Sequence, residues 1–239
     1  MNAAKWLFAC GALAIGGLFI SLSACATEHA VVIPVAALDD PKTSGPMQTA
    51  VLAGGCFWGV QGVFEHLSGV SRVLSGYAGG NVNRPSYEMV SGGNTGHAES
   101  VEITFDPKVV SYGQVLQVFF SVAHDPTQLN RQGPDSGTQY RSAIFYGNER
   151  QKEIATAYVA QLGKAGVFHR PIVTRIDALK KFFPAEDYHQ DYLINHPRSA
   201  YIVFNDLPKI RNFQSAWPGL YQAKAVEVPA SGVVSVSTE

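Results

Sequence analysis

The sequence predicts an α/β (α+β) fold, a two-layer sandwich in which helices flank one central mixed β-sheet as a ferredoxin-like plait. Three observations carry this. Apolar runs of strand length alternate with helical spacings across residues 49–222. Residues 98–105 (AESVEITF) repeat with period two, the pattern of a strand covered on one face. Residues 49–53 (TAVLA) run through two glycines straight into a helical stretch. Which strands pair parallel and which antiparallel is not legible in this pattern.

Taken in order, the first strand is 49–53, and the helix after it has its body at 60–67 and its end at Gly69. Residues 70–77 are extended and open into a glycine-rich loop, 78–84. In the strand 98–105, Val101, Ile103 and Phe105 share one face, and Asp106-Pro107 closes it. Residues 115–122 have helical spacing, with Leu116, Phe119 and Phe120 as the apolar face. Residues 141–146 form a strand, and Asn148 caps a helix over 149–162. A further strand is expected at 171–176 and a short aromatic-rich helix at 186–195. Residues 49–222 thus make one domain, long enough for a full core. The segment 223–239 is small, β-branched and polar, and is expected to be a disordered tail.

The N-terminus speaks to the compartment. Lys5 precedes an uncharged run, 6–24, that ends in Leu22-Ser23-Ala24-Cys25. A basic start, an apolar stretch and small residues before a cleavage point make a secretory signal, 1–24. Leu-Ser-Ala-Cys resembles a bacterial lipobox, which implies lipidation of Cys25 and a tether over 25–48, where Pro34, Pro41, Gly45 and Pro46 break any periodicity. The expected location is the cell envelope, on the periplasmic side. Ala26 rather than aspartate after Cys25 favours the outer membrane over the inner. Lys and Arg total 18 against 19 Asp and Glu, so no strong field recruits nucleic acid or anionic lipid.

The chain has three cysteines. Cys10 leaves with the signal and Cys25 is consumed by lipid, so Cys56 remains as a lone thiol in an exported protein, outside any internal disulfide. It stands in Gly55-Cys56-Phe57-Trp58-Gly59 at the first turn of a helix, beside two aromatics that tend to be exposed. Unpaired N–H groups and the helix dipole there favour an anion, so the thiol is expected to titrate below its usual ~8.5. The competing reading is a buried cysteine acting as a small hydrophobe.

Further segments add to this one: Gly-Tyr-Ala-Gly-Gly (76–80), Tyr87-Glu88, Gly-His-Ala-Glu (96–99), Asp-Pro-Thr-Gln-Leu-Asn-Arg-Gln-Gly (125–133), Asp-Ser-Gly-Thr-Gln-Tyr-Arg-Ser (135–142) and Ala-Glu-Asp-Tyr-His-Gln-Asp-Tyr (185–192). In this order and spacing, the chain from about Thr49 to Tyr221 resembles the A class of peptide methionine sulfoxide reductases. The resemblance implies reduction of methionine S-sulfoxide, free or in proteins, by attack of Cys56 on the sulfoxide sulfur. Because a sulfoxide oxygen leaves only when protonated, an acid is needed beside the nucleophile. Glu99 matches the family's acid, and burial would have to raise its pKa. Tyr87 and Tyr140 match tyrosines that hold the sulfoxide oxygen. Phe57 and Trp58 match the pocket for the substrate's methyl group, and Asp135 matches an aspartate that orders the polar network. Glu186, His189 and Tyr192 are expected to support the site through hydrogen bonds. Read without the resemblance, Glu99 is an outward-facing strand carboxylate, the tyrosines are rim residues, and the aromatics are core.

Attack leaves Cys56 as a sulfenic acid. The chain has no cysteine after Cys56, so regeneration is expected from an external thiol, a thioredoxin-like protein or a small thiol. No prosthetic cofactor is implied, and no histidine pair has metal-ligand spacing. Three other readings compete at this point. One is a cysteine hydrolase pairing Cys56 with His97 or His189. Another is a peroxide-reducing thiol enzyme, whose Pro-x-x-x-Thr-x-x-Cys approach is absent. The last is a non-catalytic envelope lipoprotein.

Overall fold

The period-two alternation of residues 98–105 becomes, in three dimensions, a partition between two faces of one sheet. In a computed structural model, which describes residues 30–42 and 44–228, Val101, Ile103 and Phe105 join the main core while Ala98 joins a smaller cluster with Val51, Ala53, Ala143 and Phe145. A strand's side chains alternate in direction, so one sequence supplies both faces.

Strand β1 (Gln48–Gly54) leads into helix α1 (Phe57–Glu65), then β2 (Val70–Ala78), a short α2 (Tyr87–Ser91) and β3 (Ala98–Phe105). Helix α3 (Tyr112–Val118), opened by a capping box at Ser111 and Gln114, runs on into a π-helical turn over Phe119–Ala123. A miniature hairpin of β4 (Arg131–Gln132) and β5 (Asp135–Ser136) and a 3₁₀ turn over Thr138–Tyr140 precede β6 (Ser142–Tyr146). Asn148 caps α4 (Glu149–Ala165), which ends on Gly166 in the left-handed conformation. Strands β7 (Arg175–Ala178) and β8 (Phe182–Pro184), helix α5 (Tyr192–Asn195), a π-helical turn over Ile202–Asp206 and α6 (Leu207–Ala216) complete the order.

The six-stranded sheet has the order β7-β6-β1-β3-β2-β8. It is mixed: β6 and β7 pair parallel, while β6-β1, β1-β3, β3-β2 and β2-β8 pair antiparallel. The main core spans buried residues of α1, α3, α4 and α6 and the sheet face that carries Leu52, Tyr77 and Val101.

Several elements depart from expectation. The strand expected at 171–176 begins only at Arg175, because Val173 N–H is taken by Pro126 C=O before the chain reaches β6. The helix expected at 186–195 is split into a 3₁₀ turn over Asp187–His189 and α5. Between them Asp191 adopts φ 52°, and the Gln190 side chain leaves to bridge Ser75 N–H and C=O at 2.9 and 3.0 Å. Residues 30–42, expected to run as a free spacer, lie on the domain. Ile33 is buried, Val31 exchanges bonds with Ser121, and Tyr158 and Gln161 of α4 donate to Pro34 and Val35 C=O at 2.6 and 2.8 Å. At the other end, Val226 and Val228 N–H donate to Glu65 C=O and Asp191 Oδ2. The signal segment, Cys25 and residues 229–239 lie outside the described residues.

Candidate active site

Cys56 precedes the first residue of α1, where β1 ends in Gly54-Gly55. Gly55 has φ 92°, and a Cβ there would lie 2.5 Å from the Gln132 side chain, so the turn needs glycine on both counts. The Cys56 side chain makes no capping hydrogen bond to α1, but the Trp58 backbone N–H acts to lower the thiol, as the helix start predicts. The expected acidification does not follow. Burial, then the Glu99 and Asp206 carboxylates, push the thiol well above its ordinary value. Cys56 is only 9 % exposed, and removing water from an anion outweighs one N–H donor.

Alternation in β3 puts Glu99 on the core face, in register with Tyr77 of β2. Its Oε2 accepts from Phe57 N–H at 3.1 Å, the peptide next to Cys56. Glu99 is 2 % exposed, and burial raises its carboxyl to about 8 despite that bond. At neutral pH the group is therefore mainly the acid form, and its repulsion of a Cys56 thiolate largely disappears.

Tyr87 starts α2, where its N–H donates to Glu186 Oε1 at 2.9 Å. Tyr77 hydroxyl donates to the other oxygen of Glu186, also at 2.9 Å. Burial alone would raise Glu186, yet these donors hold it below the usual carboxylate value. Tyr140 closes the 3₁₀ turn, which Arg141 ties to the loop before β3 by donating to Thr138 and Gly96 C=O. The phenols of Tyr87 and Tyr140 are raised by burial and then by the Glu99 charge, so both remain donors throughout the working range.

The aromatics are arranged differently from expectation. Phe57 is 1 % exposed, not exposed-tending, with its ring among Trp58, Tyr77 and His189. Trp58 is half-buried and stacks on Tyr192 with centroids 3.7 Å apart, while its Nε1–H donates to His189 Nδ1 at 3.1 Å. That bond fixes His189 Nδ1 as the acceptor, and burial lowers its pKa. His97 bonds Gly80 N–H and Val82 C=O, and His124 bonds Phe119 C=O and Ser142. These bonds occupy both ring nitrogens of His97 and His124, while His189 is engaged through Nδ1 and keeps Nε2 without a hydrogen-bond partner among the described residues.

Asp135, at the start of β5, accepts a very short hydrogen bond from Tyr201 hydroxyl, and burial raises its carboxyl. Tyr201 was not singled out from sequence, nor were Asp206 and Lys209, a buried pair 3.6 Å apart next to α1. Tyr201 meets the Trp58 ring edge-on, and its own phenol is raised by burial and by Cys56. The structure thus brings Cys56, Glu99, Tyr87, Tyr140, Asp135, Phe57 and Trp58 into one neighbourhood, backed by Glu186, His189 and Tyr192.

Residues 48–220 match the family model described as peptide methionine sulfoxide reductase. The chain belongs to the peptide methionine sulfoxide reductase family. It is 59 % identical over 189 residues to peptide methionine sulfoxide reductase MsrA 2 of Mesorhizobium japonicum, covering 79 % of this chain and 97 % of that one. It is 45 % identical over 217 residues to MsrA 2 of Synechocystis, covering 90 % and 99 %. Among solved structures it is similar to methionine sulfoxide reductase A of Corynebacterium diphtheriae, with 34 % identity, a TM-score of 0.56, and coverage of 72 % of this chain and 89 % of that one. Mxr1 from Saccharomyces cerevisiae in reduced form gives 33 % identity and a TM-score of 0.57, covering 68 % and 92 %. The reductase is an MsrA-class oxidoreductase acting on sulfur, and its reaction is methionine sulfoxide reduction in protein repair.

Proposed function

We propose that this reductase takes the S epimer of methionine sulfoxide, free or in proteins, and that Cys56, Glu99, Tyr87 and Tyr140 carry the chemistry. The observation that bears most weight is the protonated Glu99 held against the Phe57 peptide beside the nucleophile. Cys56 sulfur attacks the sulfoxide sulfur while Glu99 gives its proton to the departing oxygen and regains one from the thiol. As the oxygen passes to Cys56 sulfur, the new S–S bond and the S–O bond of the substrate both break, and methionine leaves with Cys56 as Cys–SOH. Tyr87 and Tyr140 donate to the oxygen as charge develops, Phe57 and Trp58 form the wall for the methyl group, and Asp135 orders the donors. Glu186, His189 and Tyr192 position Tyr87 and Trp58.

Two external thiols then return Cys–SOH to the thiol, releasing water and a disulfide. Cys56 is the free cysteine of the described residues and no cysteine follows it, which supports a thioredoxin-like protein or a small thiol as reductant. The lipobox-like Leu22–Cys25 supports a signal peptide over 1–24, a lipid anchor at Cys25, and a place in the cell envelope on the periplasmic side, with the outer membrane favoured. The antiparallel order β6-β1-β3-β2 supports a ferredoxin-like plait for the central four strands, within a catalytic domain over 49–222.

The test is a single turnover of each sulfoxide epimer without added thiol, followed by a count of free thiols. The expected result is one methionine per chain from the S epimer, loss of the Cys56 thiol, and no product with Cys56→Ser. Turnover of the R epimer at an equal rate, or an intramolecular disulfide found by mass spectrometry, overturns the proposal.

A further inference from the structure

We propose that the rim of the cavity beside Cys56 is a membrane-docking surface, seated on the bilayer that holds the anchor, so that the enzyme works on sulfoxides at the membrane surface. This rests on the lipidated Cys25 proposed above.

The first argument is the length of the leash. A segment free over residues 25–48 would extend to ~80 Å. Residues 30–42 are instead fastened along α3 and α4: Gln117 Nε2 donates to Ile33 C=O at 3.1 Å, Tyr158 to Pro34 C=O at 2.6 Å, and Arg150 pairs with Asp40 at 2.7 Å. Five peptide steps separate Cys25 from Ala30, and whatever path they take they span at most ~18 Å. A domain of this length has a radius of gyration of ~16 Å and is ~40 Å across. An 18 Å leash cannot let such a body turn its far side to the bilayer. The face that bears Ala30 must stay against it.

The second argument is what that face contains. Ala30, Val31 and Val32 line the same open cavity, of about 1140 Å³, as Cys56, Asp135 and Tyr201. Leash and nucleophile therefore share one opening. Val32, Leu129 and Phe204 stand on this cavity with 73 %, 67 % and 70 % of their surfaces exposed. Two exposed guanidinium groups, Arg131 and Arg170, accompany them. Of the carboxylates lining the cavity, Asp135 is engaged by Tyr201 and Asp125 by Thr127 and, at 3.8 Å, by Arg170 itself, which leaves Arg131 as the guanidinium with no carboxylate beside it among the ion pairs of the described residues. Exposed apolar side chains mixed with arginine are what an interfacial surface presents to acyl chains and anionic headgroups. The chain's net charge is only −1, so the arginines here are a local feature.

The experiment uses the mature full-length protein in vesicles of phosphatidylethanolamine and phosphatidylglycerol, with its N-terminal mass measured first. Phe204→Trp places a fluorophore on the rim. Lipids brominated near the headgroup are expected to quench its emission, taken above that of the unsubstituted protein, by at least a third. In parallel, Leu129→Ser with Phe204→Ser is expected to lower turnover of a vesicle-anchored methionine sulfoxide peptide at least threefold while leaving that of a soluble one unchanged. No quenching, or equal rates on the anchored peptide, overturns the docking. An equal loss on both peptides assigns the rim to substrate chains and overturns it too. An unlipidated N-terminus removes the anchor itself, and the mass separates that failure from a lipidated protein whose rim stays in water.

Discussion

Phe57 N–H donates to Glu99 Oε2 over 3.1 Å, and this bond spans 42 residues of sequence to place an acid against the peptide that follows the nucleophile. The geometry couples two opposing demands. Burial that keeps Glu99 protonated also makes the Cys56 thiolate costly, and the neutral carboxyl relieves part of that cost.

The first consequence is a pH profile. Glu99 holds its proton below about 8 and loses it as pH rises through that value. The single-turnover rate of sulfenic acid formation is expected to fall above pH 8, although more alkaline solution favours the thiolate. Glu99→Gln should lower the rate at pH 7 by ~10²–10⁴-fold and abolish the alkaline fall. Stopped-flow measurement from pH 6 to 10 checks both, and near-normal rates for the variant would sink the acid role.

Stability should carry the same signature. The folded Glu99 titrates near 8 and the unfolded one at ~4.3, so between these values the folded chain binds the extra proton. Stability from this group is fully present below the unfolded value and declines as pH climbs to 8, by several kcal/mol. Glu99→Gln removes the decline. Thermal melts should show its Tm rising relative to the unsubstituted protein on going from pH 5 to pH 8, by about 5 °C or more. A constant difference contradicts the assignment.

Tyr201 is expected to act through Asp135. Tyr201→Phe removes the donor to a half-buried carboxylate and should cost about 1.5 kcal/mol of stability, with a slower reductive step. A double-mutant cycle with Asp135→Asn reads the coupling directly. Additive effects on both stability and rate would show that the pair does not act as a unit.

Two glycine replacements should have opposite signs. Gly59 lies in α1, where an added Cβ would sit 2.0 Å from Asp206 Oδ1. Gly59→Ala must displace the buried Asp206–Lys209 pair, and we expect a loss of about 2 kcal/mol. Gly163 lies in α4 with open space around it, so Gly163→Ala should gain ~1 kcal/mol of helix propensity. Urea melts of the two variants test the contrast.

Much of the frame was legible beforehand because it depends on neighbours in sequence. Period two along 98–105 put Val101, Ile103 and Phe105 on the covered face and Asn148 marked the start of α4, whereas Glu99, apart from the family resemblance, read as an outward-facing carboxylate. The elements that were missed are short or are recruited from afar. Strand β8 is three residues held by β2, and the docked course of 30–42 depends on side chains of α3 and α4 that reach irregular backbone. Neither leaves a periodic trace. The helix start at Cys56 was read correctly and its backbone does lower the thiol, but burial and the Glu99 and Asp206 carboxylates outweigh it.

The sequence alone sets Cys56 at the mouth of a βα join, with a carboxylate and tyrosines at family spacing and no cysteine after it. The protonation of that site and the surroundings of its nucleophile arise only on folding. Caps and strand periods are set by local backbone geometry. Proton affinity follows from desolvation by segments that meet only on folding, and here Tyr201, Asp206 and the sheet face around Glu99 meet at Cys56.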